Sequence, residues 1–134
     1  MFAPYKGHTS TYTAVHAETS VQGADPHQLV GLLLDGALGA IANAVSAIER
    51  GDIAAKGRAI SRAVCIVDEG LRGALDLQAG GEVAVTLQDL YSCVLLRLTQ
   101  ANLGNDSARL RECSELLVPL RDAWNAIKPQ RLAA

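Results

Sequence analysis

Residues 25–51 read DPHQLVGLLLDGALGAIANAVSAIERG and carry the signals for both ends of one long helix. Asp25 suits the N-cap, Pro26 suits the first helical position, and Gln28 can complete a capping box with Asp25. Gly51 suits the left-handed residue that commonly ends a helix, so the helix is predicted to run to about Arg50. Apolar residues recur every three or four positions, as on a buried helix face: Val30, Leu33, Leu34, Ala37, Ile41, Val45 and Ile48.

The same segment is nearly long enough to cross a membrane. Leu29–Ile48 spans about 20 residues and holds one charge, Asp35. Small residues along one ridge of the segment are also found in membrane helices. However, Asp35, Asn43 and Ser46 would be costly in lipid, and the flanks lack the aromatic residues that mark membrane interfaces. We therefore favour the central helix of a bundle and expect no membrane insertion.

Two further helices are predicted from the pattern that follows. Asp52 can cap a helix over 53–77, Gly80-Gly81 interrupts the chain, and the next helix is predicted over 82–103. The residues predicted to face the core in these two helices are Ile53, Gly57, Ile60, Val64, Val67, Leu71 and Leu75, and then Val83, Leu87, Leu90, Tyr91, Val94, Leu98 and Ala101.

The last helix is predicted over 107–128, with Asp106 as its N-cap. Pro119 lies inside this pattern and lacks the N–H that would pair with the Glu115 carbonyl, which predicts a kink. A weakly specified first helix is predicted over 12–22.

These elements predict an all-α fold, namely an antiparallel four-helix bundle with a short N-terminal cap helix. Long amphipathic helices with short connections pack in this way. The 134 residues fit a single domain. Within it we expect a loose N-terminal cap segment at 1–24, the bundle at 25–128 and a short tail at 129–134.

Composition narrows the function. Hydrophobic residues make up 49% of the chain and aromatic residues only 4%, so Ala and Leu, which favour helix, dominate the apolar content. The net charge is -2 and the basic residues are dispersed, which argues against nucleic acid as the main partner. The N-terminus has no apolar segment typical of a signal peptide, and we expect a cytoplasmic protein.

The three cysteines do not form a recognisable framework. Their number is odd and no C-x-x-C motif is present, so neither a disulfide framework nor a zinc site is expected. Free thiols fit a reducing cytoplasm. Cys113 lies in a core row and is predicted to be buried, whereas Cys65 lies in a polar row and is predicted to be accessible.

Catalytic and metal-binding patterns are not found. A di-iron bundle needs Glu-x-x-His pairs, and none of His8, His16 and His27 follows a glutamate by three. Asp35 is a lone carboxylate that could act as an acid or base, but it is more readily explained by pairing with a neighbouring helix. We therefore expect no enzyme activity, no cofactor and no metal.

Several leucines exceed what one core stripe per helix requires. Two explanations stay open: these side chains line a groove for an amphipathic partner, or the helices simply bury two faces. The residues concerned are Leu29, Leu32, Leu38, Leu95, Leu96 and Leu103.

An ordered series of motifs resembles the FliS family of flagellar secretion chaperones over about residues 12–129. Each motif alone is weak, but their order is specific. The series comprises Asp25-Pro26-His27-Gln28-Leu29-Val30, Leu34-Asp35-Gly36-Ala37, Arg50-Gly51-Asp52, Gly80-Gly81-Glu82-Val83-Ala84, Leu90-Tyr91, Arg97-Leu98, Ala101-Asn102-Leu103, Asn105-Asp106 and Ala123-Trp124.

The resemblance implies a cytoplasmic chaperone that binds the disordered C-terminal region of unpolymerised flagellin. Such a protein prevents premature polymerisation and assists flagellar type III export, without a cofactor. The chain departs from the usual family pattern at Cys93, where a tyrosine is common, at Leu96, where an arginine is common, and at Pro119. A helical-bundle regulator of another flagellar protein, such as an anti-sigma factor, and a bundle metalloprotein are the alternatives.

A flagellin groove is predicted from eight residues. Tyr12 and Val15 match, by resemblance, the N-terminal segment that covers a client groove in the family. The remaining candidates are also plausible core residues: Leu33, Leu34, Leu87, Tyr91, Leu95 and Leu96. The expected partners are the flagellin C-terminal segment and, beyond it, the export apparatus or an anti-sigma factor.

Overall fold

The structure, a computed structural model, describes residues 25–127, so the predicted first helix and the tail lie outside the described residues. Four α-helices follow one another: α1 (Pro26–Arg50), α2 (Ile53–Cys65), α3 (Leu77–Gly104) and α4 (Ser107–Ala126). A π-helical segment, Ile66–Arg72, continues α2. The described range contains no strand, and the prediction of an all-α four-helix bundle is confirmed.

The ends of α1 are closed as the sequence predicts. The Asp25 carboxylate accepts a hydrogen bond from the Gln28 backbone N–H at 2.7 Å, and the Asp25 N–H donates to the Gln28 side chain at 3.3 Å. These reciprocal bonds satisfy backbone donors that a helix start leaves unpaired. At the other end, Gly51 adopts a left-handed conformation (φ 73°) and its N–H reaches the last carbonyls of the helix.

Contacts between neighbouring helices show that they run antiparallel. α1 packs against α2 with its π-helical continuation on one side and against α4 on the other, while α3 packs against α4, α2 and the π-helical segment. α1 and α3 are therefore diagonal in the bundle. Along the α1–α4 seam, residue numbers rise on one helix as they fall on the other: Asp35 pairs with Arg121 at 3.1 Å and Glu49 with Arg111 at 3.2 Å.

Polar contacts also join α3 to both of its neighbours, α4 and α2. Arg97 on α3 pairs with Glu112 on α4 at 2.9 Å. The buried Lys56 ammonium on α2 donates to the Asn102 carbonyl near the end of α3 at 2.9 Å. A cation is favourable there, because the last carbonyls of a helix carry partial negative charge.

α1 occupies the middle of the core. Its own length and composition would allow it to cross a membrane. The bundle accounts for that composition, because the neighbours of α1 cover its apolar face. The largest fully buried side chains come from α1, α3, α4 and the π-helical segment: Leu34, Ile41, Val67, Val94, Leu98, Leu110, Cys113 and Leu117.

The second predicted helix differs from the observed one. Regular α-helix ends at Cys65 rather than near Leu77, and the chain continues in wider π-helical turns. The Gly73 N–H donates to the Asp68 carbonyl five residues back, at 2.8 Å, which is the π-helical spacing. A side chain at Gly73 would place its Cβ only 2.7 Å from the Glu69 carbonyl oxygen, so only glycine fits there without a shift.

The third helix begins earlier than predicted. Asp76 caps α3 by accepting from the N–H groups of Gln78 and Ala79, so the helix starts five residues before Glu82. Gly80-Gly81 nevertheless interrupts the element as predicted. Gly81 has φ 57° and ψ -133°, which are not helical, so a kink separates the helical turn before it from the long helix after it.

Two residues predicted for the core stripes of the second and third helices are exposed. Ile53 is 52% exposed because it is the first residue of α2 and extends beyond the packed region. Val83 is 69% exposed and lies in the first helical turn after the kink at Gly81. On α4, the helix continues through Pro119 to Ala126.

The core assignment can be tested with two leucines that differ in burial. Leu34 is fully buried, so Leu34→Ala removes packed atoms and should lower the free energy of unfolding by about 2–5 kcal/mol. The matched control, Leu96→Ala, truncates a leucine that is 59% exposed and should change it by no more than about 0.5 kcal/mol. Urea denaturation followed by circular dichroism measures both, and equal losses would contradict the burial described here.

Candidate docking surface

Three of the predicted groove residues lie in the core. Leu33, Leu34 and Tyr91 are 2%, 0% and 3% exposed. Burial also raises the pKa of the Tyr91 hydroxyl. In the closed bundle these side chains offer no surface to a partner. The alternative that they are core residues therefore accounts for them in this structure.

The leucines in excess of one core stripe per helix differ in burial between α1 and α3. On α1, Leu29 and Leu38 are half-buried and pack against the core, so this helix buries two faces. On α3, Leu95 is half-buried and also packs against the core. Leu96 and Leu103 are different, since they are 59% and 84% exposed. The apolar residues that remain accessible are therefore concentrated on α3.

The exposed apolar residues on the outer side of α3 follow one helical face. Val85, Leu96 and Leu103 are eleven and seven residues apart, and both spacings return to nearly the same side of a helix. We call these three residues the α3 stripe. It extends for about 27 Å, the rise of 18 residues at 1.5 Å each. It faces away from the core, which α3 contacts through Ala84, Tyr91, Val94, Leu98 and Ala101.

Charges beside the α3 stripe are largely neutralised by neighbours. Arg97 and Arg109 both bind the Glu112 carboxylate, at 2.9 and 3.2 Å. Arg72 is held by Asp68 and reaches the Ser92 hydroxyl at 3.3 Å. A partner that covers the stripe would meet apolar side chains, these paired charges and the exposed Asp89, which lies seven residues before Leu96 on the same face.

A second group of exposed apolar residues lies at one end of the bundle. Leu77, Val83 and Ile127 are 42%, 69% and 44% exposed, and the antiparallel order brings their helix ends to the same side. Residue 25 begins α1 at this end too. Tyr12 and Val15, the two groove residues predicted from the resemblance, lie outside the described residues.

The comparisons with known proteins agree with the motif series. The model of the family described as "Flagellar protein FliS" matches residues 8–131. The chain is 44% identical over 119 residues to the flagellar secretion chaperone FliS of Salmonella typhimurium, which covers 89% of this chain and 88% of that protein. It is 42% identical over 116 residues to the flagellar secretion chaperone FliSB of Pseudomonas aeruginosa, covering 87% and 91%.

The chain belongs to the FliS family.

A more distant relative, FliS of Bacillus subtilis, is 34% identical over 121 residues, which is 90% of this chain and 88% of that protein. FliS relatives are named chaperones rather than enzymes. The role of the FliS family is therefore that of a flagellar export chaperone, and the partner of such a chaperone is a flagellar protein.

His27, for which the sequence predicts no metal-binding role, joins the start of α1 to the end of α4. Its ring stacks on Trp124 with centroids 4.9 Å apart and an angle of 13° between the planes. The Trp124 indole N–H donates to the His27 carbonyl at 2.8 Å, and with its proton on Nε2 the imidazole donates to the Trp124 carbonyl at 2.9 Å. Between residues 25 and 127, no three His, Cys, Asp or Glu side chains gather as a metal site would require.

The stripe contains one residue that the sequence reading did not single out. That residue is Val85. The eleven-residue spacing from Val85 to Leu96 was the available signal. Leu87, the remaining groove candidate, is half-buried and packs against the core.

The two cysteines assigned to different environments can be compared directly. Cys113 is fully buried, and burial raises the pKa of its thiol to about 11. Cys65 is only half-buried. Because the thiolate is the reactive form, a pKa near 11 leaves roughly one thiolate in a thousand at pH 8. Iodoacetamide at pH 8 should therefore alkylate Cys65 much faster than Cys113, as measured by mass spectrometry of the digested protein.

Denaturation provides the control for this comparison. In urea the folded environments are lost, so the two cysteines should react at similar rates. Equal rates in the native protein would contradict the assigned burial.

Proposed function

We propose that this chain is a cytoplasmic export chaperone for flagellin. It binds the disordered C-terminal region of the flagellin monomer, prevents premature polymerisation and assists delivery to the flagellar type III export apparatus. The observation that carries the proposal is the match of nearly the whole chain to flagellar secretion chaperones. The three cysteines in the described residues form no disulfide bond, which is compatible with a reducing compartment.

The α3 stripe supports the proposal physically. A disordered client loses chain entropy when it docks, and burial of its apolar residues must exceed that loss. Leu96 and Leu103 offer exposed apolar surface that the bundle itself does not use. An amphipathic client helix could place apolar groups that recur every three or four residues along the stripe, as in helix-in-groove recognition.

The predicted groove residues take different parts in this proposal. Leu96 contacts the client directly and the half-buried Leu95 borders the contact, whereas Leu87 lies on the opposite, core-facing side of α3 and supports the helix from there. Leu33, Leu34 and Tyr91 support the surface from within, because the closed bundle leaves them no access. Tyr12 and Val15 remain proposed as the segment that covers the client surface before binding.

Calorimetric titration with a peptide of the flagellin C-terminal segment tests the proposal. Binding should be detectable at tens of micromolar or below, with a clearly negative heat-capacity change across several temperatures, because apolar surface is buried. The affinity should depend only weakly on salt, since few charges take part. Absence of binding, or binding without a negative heat-capacity change, would overturn the proposal.

A pair of variants locates the contact. Leu96→Glu adds a charge to the middle of the stripe and should weaken peptide binding by about tenfold or more, since a buried charge without a partner is costly. Ala42→Glu adds the same charge at an exposed position of α1, diagonally opposite α3, and should leave the affinity unchanged. Far-UV circular dichroism checks that both variants are folded. Equal affinities in the two variants would exclude the stripe as the client site.

A further inference from the structure

Asp89 places a charge on the face of α3 that carries the exposed apolar residues. At about 100° per residue around the helix axis, it lies about 40° from Val85 and about 20° from Leu96. Along the axis it lies about 6 Å beyond Val85 and about 10.5 Å before Leu96, at a rise of about 1.5 Å per residue. A helix that covers the α3 stripe therefore also covers the Asp89 carboxylate.

The Asp89 carboxylate has no partner within the bundle. The residue is exposed, and its side chain forms no hydrogen bond or ion pair with any residue in the range 25–127. No basic side chain of α3 faces it, because the positions three and four residues away hold Val85, Thr86, Ser92 and Cys93. Its own helix therefore leaves the charge of Asp89 uncompensated.

The basic side chains beside the stripe are bound by other carboxylates. Arg72 reaches the Ser92 hydroxyl at 3.3 Å, one turn further along α3 than Asp89, but the Asp68 carboxylate holds its guanidinium. Arg97 lies on the side of α3 that meets α4, where a carboxylate of α4 binds it at 2.9 Å. Neither arginine forms an ion pair with Asp89.

The start of the helix does not explain an aspartate at this position. Acidic residues are favourable near a helix N-terminus, where backbone N–H groups carry partial positive charge, but the effect is confined to the first turn. Glu82, which directly follows the kink at Gly81, fits that explanation. Asp89 lies twelve residues after Leu77 and eight after Gly81, more than two turns beyond either residue.

Covering a free carboxylate with an apolar surface is costly. The carboxylate would lose its water without gaining a hydrogen bond or an opposite charge. A lysine or arginine in the covering helix removes this cost, because its side chain forms a charge-assisted hydrogen bond with the carboxylate. The α3 stripe is thus complementary to a helix whose apolar face carries one basic residue.

We propose that Asp89 selects the register of the client helix by pairing with a lysine or arginine of that helix. The inference rests on the proposed function, since the client is the flagellin segment docked on the α3 stripe. Asp89 lies about 6 Å from the Val85 end of the stripe and about 21 Å from the Leu103 end, at about 1.5 Å per residue. The pairing cation is therefore close to one end of the bound helix, and that end lies over the start of α3.

Three designed amphipathic helical peptides test the pairing without flagellin. All present leucines that recur every three or four residues, and one position near the end of the apolar face holds lysine in the first peptide and glutamine in the second. Isothermal titration calorimetry should show about tenfold tighter binding of the lysine peptide, because the glutamine peptide covers Asp89 without a cation. The third peptide has its lysine at the centre of that face, close to Leu96, and should bind no better than the glutamine peptide.

Variants of the protein supply the matched control. In Asp89→Asn the advantage of the lysine peptide should fall to within about twofold, whereas Asp89→Glu keeps the carboxylate and should retain most of the advantage. Glu115 is an exposed residue of α4 whose carboxylate also lacks a partner in the described range. Glu115→Gln therefore changes the net charge equally and should leave the difference between the peptides in place. Far-UV circular dichroism checks that the variants are folded.

Three results would contradict the role of Asp89. They are equal affinities of the lysine and glutamine peptides for the unchanged protein, an undiminished difference in Asp89→Asn, and an equal loss of that difference in Glu115→Gln. Sedimentation supplies a fourth: dimerisation that the lysine peptide cannot reverse would assign the α3 stripe to a second copy of the chain.

The flagellin peptide separates this inference from the proposed function. Each lysine and arginine of that peptide is replaced by glutamine, one at a time. One replacement should weaken binding to the unchanged protein but not to Asp89→Asn. A peptide that binds but has no such position would overturn the role of Asp89 and leave the function standing, whereas a peptide that does not bind at all would overturn both.

Discussion

Burial of α1 between α2 and α4 is the interaction on which the rest of the structure depends. α1 carries apolar residues around much of its circumference, and no single neighbouring helix could cover them. Two helices must therefore pack against it, one on each side, and α3 closes the bundle diagonally opposite. Glycines allow the close approach: a Cβ at Gly70 of the π-helical segment would lie 3.3 Å from the Leu33 side chain. The wide turns of that segment place a small residue against a large one at this crossing.

The parts of the fold set by local chemistry could be predicted from the sequence. The cap of α1 at Asp25, its end at Gly51 and the N-cap of α4 at Asp106 all depend on neighbouring residues within one turn. The π-helical turns could not be predicted, since they arise from packing around Gly70 and Gly73 and leave no periodic signal. The interruption at Gly81 could also be predicted locally, because glycine readily adopts a positive φ.

The docking surface was harder to predict because one spacing fits two environments. Leu33 and Leu96 both belong to apolar rows of long helices, and only the placement of neighbouring helices makes one a core residue and the other a surface residue. Features formed by two elements follow from tertiary structure and not from the pattern of either element.

The division between core and surface residues constrains how this chain can act as a chaperone. The buried side chains are committed to the bundle, with Leu34, Leu98 and Leu117 fully enclosed. If they joined in binding, a partner would have to supply the free energy needed to open the core. Residues such as Leu96 and Leu103 contribute little to the fold, so their burial by a partner is an almost undiminished gain. On binding, the client then loses conformational freedom, whereas the bundle offers a surface that is already formed.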